Sequence, residues 1–339
     1  MAEATVNLSL AQVHQLSVDT LVHHGMALEH AESISRVITA GQRDECNSHG
    51  LYRLISCVDA IRKGKVVLDA VPEVEDVSPA ITRVDAKFGF SQLAFDRGVE
   101  SLIDKAHVIG IAALAVNNCY HFSALWPEVE RIADAGLAGL AMTPSHSWVV
   151  PAGGTKPVYG TNPIAFAWPR PGMHPYVFDF ATSATARGEI ELHRRAGKKI
   201  PLGWALDANG LPTEDPEEAL KGAMLAFGGH KGSALSAMIE LMAGALIGDM
   251  LSSDSQEFDD GAKVTPCHGE LLLAFSPKMF GGAGAASGME RAEAMFNSIT
   301  SQGARLPSQR RFEARNRSID NGVLIPEALY KDVLALTGR

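Results

Sequence analysis

The stretch Ile111-Ala112-Ala113-Leu114-Ala115-Val116-Asn117 is short, apolar without alternation, and halted by a second asparagine, Asn118. A continuous apolar run of this length, closed by turn formers, reads as a strand buried on both faces. Residues 91–109 before it have helical periodicity, and a second helix is expected after it over 124–135. A buried strand between two helices makes the chain α/β. Further strands are expected at Leu137–Met142, Ile164–Trp168, Tyr176–Phe180 and Leu271–Phe275. Helices are expected over 9–26, 28–46, 215–226, 231–250 and 288–302, with others opening near Tyr52 and Pro326. These elements keep no strict βαβ rhythm, so a plain doubly wound sheet is not expected.

The chain has 339 residues, 46% of them hydrophobic, enough for two domains or one large α/β body. A formal net charge of −9 argues against nucleic acid or an anionic membrane surface as partner, because both call for a basic footprint. A small anionic ligand can still find a local basic pocket. Cys46, Cys57, Cys119 and Cys267 show no C-x-x-C spacing, which fits free thiols in a reducing cytoplasm. The N-terminus lacks a basic segment followed by an apolar one, so no export signal is read there. The most apolar run, Ala234 to Leu251, carries Glu240 and Asp249 and reads as a buried helix rather than a membrane span.

Chemistry concentrates in a few short segments. Asn47-Ser48-His49-Gly50-Leu51-Tyr52-Arg53 sets a hydroxyl, an imidazole and a guanidinium at the mouth of a helix. Those groups can move a proton and hold a carboxylate, although a capping serine beside a surface histidine has the same appearance. Tyr120-His121-Phe122-Ser123-Ala124-Leu125 follows the first strand and opens a helix, where backbone N–H groups can face an anion or merely turn the chain. Pro151-Ala152-Gly153-Gly154 and Tyr159-Gly160-Thr161-Asn162-Pro163 permit tight turns and close backbone approach. Asp179-Phe180-Ala181-Thr182-Ser183 ends a strand with an acid and hydroxyls, a ribose cradle or a helix cap. Gly228-Gly229-His230-Lys231-Gly232-Ser233 puts a lysine at a helix start but is not a G-x-x-x-x-G-K-[ST] loop. Arg305, Arg310, Arg311, Arg315 and Arg317 form either a solvated run or a seat for a ribose 2′-phosphate. No H-E-x-x-H or similar spacing supports a metal, so none is expected.

Taken together, Ser48-His49-Gly50 with Arg53, His121-Phe122-Ser123, Pro151-Ala152-Gly153-Gly154, Gly160-Thr161-Asn162-Pro163, Asp179-Phe180-Ala181-Thr182-Ser183, Pro212-Thr213-Glu214-Asp215-Pro216 and His230-Lys231-Gly232 resemble the malate/L-lactate dehydrogenase family of the second type. This is a group of NAD(P)-dependent oxidoreductases unrelated to the Rossmann dehydrogenases, and the resemblance runs over nearly the whole chain. Within it, the wording around His121 and His230 is most similar to Δ1-piperideine-2-carboxylate/Δ1-pyrroline-2-carboxylate reductases. The resemblance implies a non-Rossmann α/β fold, a largely antiparallel or mixed sheet wrapped by helices, with a helical region from both termini. It divides the chain into a helical terminal domain (1–75 and 305–339), a small connecting domain (76–120) and a cofactor-binding α/β domain (121–304). It implies Ser48 and His49 as the proton-delivering pair, with Arg53 and Thr161 on the substrate. For NADPH it implies His121, Phe122, Ser123, Ala124, Leu125, Asp179, Phe180, Ala181, His230, Lys231, Arg305, Ser308, Arg310 and Arg311. The implied substrate is a small cyclic imino acid, and the implied assembly is a homodimer. A 2-keto acid, or a keto acid with methylamine, is the rival substrate within the same family.

Overall fold

The computed structural model describes residues 4–338. Its strands, in chain order, are β1 (Thr5–Leu8), β2 (Glu73–Ser78), β3 (Ile81–Asp85), β4 (Ile111–Tyr120), β5 (Ala138–Met142), β6 (Ile164–Trp168), β7 (Tyr176–Phe180), β8 (Ala205–Leu206), β9 (Ala223–Met224), β10 (Cys267–Phe275) and β11 (Val323–Pro326). Seven of them form one sheet in the order β2-β3-β4-β10-β5-β6-β7. β3 and β4 run parallel, and every other neighbouring pair is antiparallel, so the sheet is mixed. β4 and β10 lie at its centre, which is why both read as apolar runs. The same sheet takes in strands from the expected 76–120 and 121–304 units.

Period-two alternation sorts the central side chains to two faces. Leu114, Val116 and Leu272 pack with Val99 and Leu102 of α4 (Ser91–Ile109) and with Val129 and Ile132 of α5 (Trp126–Asp134). Ala115 and Leu271 face the other way, onto Ile239, Ala243 and Ile247. The helix beneath that second face runs over His230–Glu240 and then widens into a π turn at Leu241–Ala245. A third core joins α1 (Leu10–His23), α2 (Leu28–Arg43) and α3 (Tyr52–Arg62) to Val323, Ile325 and Val333 near the C-terminus. β1 pairs with β11 across almost the full length of the chain, so both termini build one helical layer.

Local chemistry sets several boundaries. Ser9 caps the first helix in a reciprocal capping box with Gln12. Where one helix was expected over 215–226, Asp215 caps a short helix at Pro216–Lys221, and Gly222 then releases the chain into β9. An added Cβ at Gly222 would lie 2.1 Å from the Leu206 carbonyl oxygen, so only glycine lets β8 and β9 meet. β10 opens four residues earlier than its apolar run, and its register shifts between His268 and Glu270. A bulge of this kind re-aims side chains beside a site.

Candidate active site

Asn47–His49 form a single 3₁₀ turn three residues beyond the second helix, and Tyr52 begins the next. This tight connection turns three chemically active side chains toward one another. Ser48 Oγ lies 3.0 Å from His49 Nδ1, and Arg53 Nη2 lies 3.3 Å from His49 Nε2. A guanidinium only donates, so His49 Nε2 accepts, and the neutral ring carries its proton on Nδ1 toward Ser48. Burial, then the charges of Arg53 and His121, push His49 down to about 3. Arg53 is itself unusual. No carboxylate lies within ion-pairing distance of it among the described residues, and its Nε is buried without a hydrogen-bond partner. A half-buried guanidinium left in that state is a seat for an external anion.

The His49 ring meets Trp126 edge to face at 6.1 Å between centroids. Trp126 stands at the start of α5, and the start is fixed by Asp179, whose Oδ2 accepts the N–H groups of Leu125 at 2.8 Å and Trp126 at 3.0 Å. The two segments expected to share a ligand, 121–125 and 179–181, are thus bonded to each other. Burial raises Asp179 to about 6, although those N–H bonds and the nearby Arg311 and His121 act against it. Trp148 lies with the Arg187 guanidinium 3.8 Å above its ring.

His121 is buried and approaches two further buried acids, with Nε2 at 3.7 Å from Glu270 and 3.9 Å from Glu128. Neither Glu270 oxygen has a hydrogen bond among the described residues. One donor atom from each of the three residues falls within 4.8 Å of the others. Burial and the charge of Glu270 hold Glu128 well above the usual carboxylate range. Sequence reasoning missed both glutamates, which lie 142 positions apart. The visible signal was an acid, Glu270, leading directly into the apolar run Leu271-Leu272-Leu273.

Thr161 is anchored through its carbonyl, which accepts the Thr182 N–H at 2.8 Å. Next to it, Asn162 sits at φ 36° and is held by Glu240 at 2.7 Å. The arginines of the C-terminal segment divide. Arg311 pairs with Asp44 at 2.9 Å and with Glu130, and Arg315 binds both acids at 2.6 and 2.8 Å. Arg305 and Arg310 are exposed and have no ion pair among the described residues. Of the expected dinucleotide contacts, Arg311 is therefore committed within the protein, while Ser308 lies at the helix start in the left-handed region.

His230 and Lys231, both exposed, open the helix that follows Gly228-Gly229. Beside them is a cavity of about 320 Å³ between the 150–153 and 225–229 loops. Gly153, Gly203, Gly228 and Gly229 line it at positive φ, and an added Cβ at any of them would enter open space. A helix N-terminus, a lysine with no ion pair among the described residues, and glycine-edged space suit a phosphate-bearing ligand. The residues present therefore fit a dinucleotide.

The mixed sheet and the Ser48–His49–Arg53 group suit an α/β oxidoreductase of non-Rossmann type. The chain belongs to the malate/L-lactate dehydrogenase family, whose model matches residues 8–334, and this membership implies a nicotinamide cofactor. It is 61% identical to a Δ1-pyrroline-2-carboxylate reductase of Burkholderia multivorans, covering 98% of this chain and 97% of that one. It is 56% identical to a Δ1-pyrroline-2-carboxylate/Δ1-piperideine-2-carboxylate reductase of Pseudomonas aeruginosa, covering 98% and 99%. A solved Δ1-piperideine-2-carboxylate reductase from Pseudomonas syringae superimposes with TM-score 0.93 at 40% identity, covering 98% of this chain and all of the other. No helix among the described residues is long and apolar enough to cross a membrane.

Proposed function

We propose that the protein reduces cyclic imino acids with NADPH, converting Δ1-piperideine-2-carboxylate to L-pipecolate and Δ1-pyrroline-2-carboxylate to L-proline. The observation that carries this reading is the unpaired Arg53 guanidinium on His49 Nε2, with Trp126 against the same imidazole. Arg53 grips the 2-carboxylate, and Trp126 presents an apolar wall to the ring. When bound, the reduced nicotinamide supplies a hydride to C2.

The residues of the chain handle the proton. A carboxylate on Arg53 cancels one of the causes that depress His49 and frees Nε2 from its donor, so the ring takes up a proton as substrate seats. His49 Nε2–H then protonates the imine nitrogen, and Ser48 Oγ supports the imidazole through Nδ1. The C=N π electrons pass to nitrogen as the hydride forms the new C–H bond. One proton and one hydride are consumed per amine produced. A positioned acid of this kind contributes roughly 10²- to 10⁴-fold.

Thr161 lies along the substrate in this reading, and His121–Leu125, Asp179–Ala181 and His230-Lys231 hold the dinucleotide. The preference for NADPH rests on Arg305 and Arg310, the unpaired arginines of the C-terminal segment. A second copy completes a homodimer, for which the exposed Leu241, Leu246, Phe280 and Met295 supply apolar surface.

The test is NADPH oxidation with Δ1-piperideine-2-carboxylate and Δ1-pyrroline-2-carboxylate beside oxaloacetate, pyruvate, and pyruvate with methylamine. Fastest turnover of a cyclic imine is expected. Preference for a keto acid, alone or with methylamine, would replace the substrate while leaving fold and family intact.

A further inference from the structure

The helix His230–Glu240 is largely apolar past its first turn, yet Ser233, Ser236 and Glu240 are all buried in it. Spacings of three and four residues set them on one face. Each bonds outward, to the loops beside the helix. Ser233 Oγ accepts the Ala152 N–H at 3.0 Å, at the rim of the glycine-edged cavity. Ser236 Oγ donates to Thr182 Oγ1 at 2.8 Å, which donates in turn to the carbonyls of Thr161 and Asn162, both at 3.1 Å. One Glu240 oxygen accepts the Asn162 side-chain N–H at 2.7 Å and the Ser252 hydroxyl, and the other accepts the Ser252 backbone N–H at 2.8 Å. Ser252 Oγ also accepts the Gly160 N–H at 2.9 Å, so the whole 160–162 turn is tied from one side.

A buried carboxylate is a costly way to finish an apolar helix, and the helix itself has no need of one. Its effect is felt at Asn162. That residue is fully buried at φ 36°, a left-handed conformation that persists only where the surroundings over-determine it. Glu240 and the Ser236 carbonyl, 3.1 Å away, hold its carboxamide from two directions. The backbone on either side cannot relax, and Thr161, the preceding residue, is fixed with it. Directly after Glu240 the helix widens into its π turn, a distortion common beside functional sites.

We propose that Glu240 is a positioning residue for the reduction: it clamps Asn162 and thereby holds Thr161 along the substrate. The clamp belongs to the same helix that opens with His230 and Lys231 beside the cavity, so one rigid element sets both the phosphate seat and the substrate loop. Glu240 acts through Asn162 and Thr161 and exchanges no proton with substrate. The inference rests on the placement of Thr161 in the reading above.

The test is a double-mutant cycle, read as kcat/KM for Δ1-pyrroline-2-carboxylate with NADPH. Glu240→Gln keeps the size of the side chain but turns an acceptor toward a donor of Asn162 or Ser252. It should lower kcat/KM by roughly tenfold to a hundredfold, the range for a slightly misplaced contact, with NADPH affinity by cofactor fluorescence within about twofold of wild type. Thr161→Ala should show a similar loss, and Glu240→Gln added to it should cost less than about twofold more, because the clamp then has nothing to position. The exchange Glu240→Gln with Asn162→Asp rebuilds the hydrogen bond in reverse and should return to within about fivefold of wild type. If Glu240→Gln fails to fold, Asn162→Ala enters the same cycle, since it leaves Glu240 with both Ser252 donors. Losses that multiply fully in the cycle, or an exchange variant no better than Glu240→Gln, would overturn the proposal. So would a loss of NADPH affinity as large as the loss of kcat/KM. Wild-type kcat/KM in Thr161→Ala, or no turnover of either cyclic imine by the wild type, would instead remove the reading beneath the inference.

Discussion

Two sets of arginines in this molecule carry the same charge and do opposite things. Arg311 and Arg315 are engaged by Asp44 and Glu130, joining the end of the second helix, α5 and the helix Gln309–Asn321 at one buried knot. Arg53, Arg305 and Arg310 have no such partners among the described residues. A paired buried charge fixes geometry, whereas an unpaired one waits for a ligand. The knot ends only four residues before Ser48, so it also sets the stage on which the open set works.

Breaking the open set should cost chemistry and spare the fold. The largest effect is expected at His49, the imidazole that Arg53 meets: His49→Ala should lower kcat by roughly 10²- to 10⁴-fold and leave NADPH affinity, followed by cofactor fluorescence, nearly unchanged. A matching loss of NADPH binding would move His49 into the cofactor site.

Breaking the knot should do the reverse. Asp44→Ala leaves Arg311 and Arg315 with Glu130 as their one shared acid and should cost about 3–5 kcal/mol in denaturant unfolding. Burial alone would raise Asp44, but hydrogen bonds and charge from Arg315 and Arg43 outweigh it and hold the carboxyl at about 2. A depressed folded value means stability that is present above the unfolded value near 3.9 and lost as pH falls through about 2. Wild-type stability should therefore drop between about pH 4 and pH 2, and this component should be missing from Asp44→Ala.

Smaller effects sharpen the contrast. Arg310→Ala and Arg305→Ala should shift the NADPH/NADH ratio toward NADH by roughly tenfold while changing stability by less than about 0.5 kcal/mol. An unchanged ratio would place the cofactor preference elsewhere. The smallest effect concerns Asp179, whose folded value near 6 exceeds its unfolded one. Its contribution is complete below the unfolded value and declines as pH rises through about 6. Asp179→Asn keeps an acceptor for the α5 N–H groups and removes that decline, so the variant should gain on wild type as pH rises from about 4 to about 6 in thermal unfolding, with no further gain above about pH 7.

The fold was legible where burial dominated. The helix Ser91–Ile109 and the strands Ile164–Trp168 and Tyr176–Phe180 have the ends that periodicity and turn residues indicate. β2, Glu-Val-Glu-Asp-Val-Ser, escaped because it is a polar edge strand with almost every side chain exposed. β1 and β11 escaped because a four-residue pairing across most of the chain leaves no local trace. The same distance hid the divided arginines, since only the fold brings residue 44 to residues 311 and 315. At the site, the short span from Ser48 to Arg53 announced itself, and the structure adds the unmet guanidinium that gives the span its meaning. Glu128 and Glu270 were invisible because each looks ordinary in its own segment and acquires meaning only opposite the other.

The central claim is that Arg53 is the carboxylate handle, and it is tested most directly by titrating pyrrole-2-carboxylate into the oxidised-cofactor complexes of wild type and Arg53→Ala. The account predicts at least about a hundredfold weaker binding for the variant with unchanged cofactor affinity, in line with loss of a charge-assisted partner in a half-buried site. Equal affinity in the two proteins would contradict it.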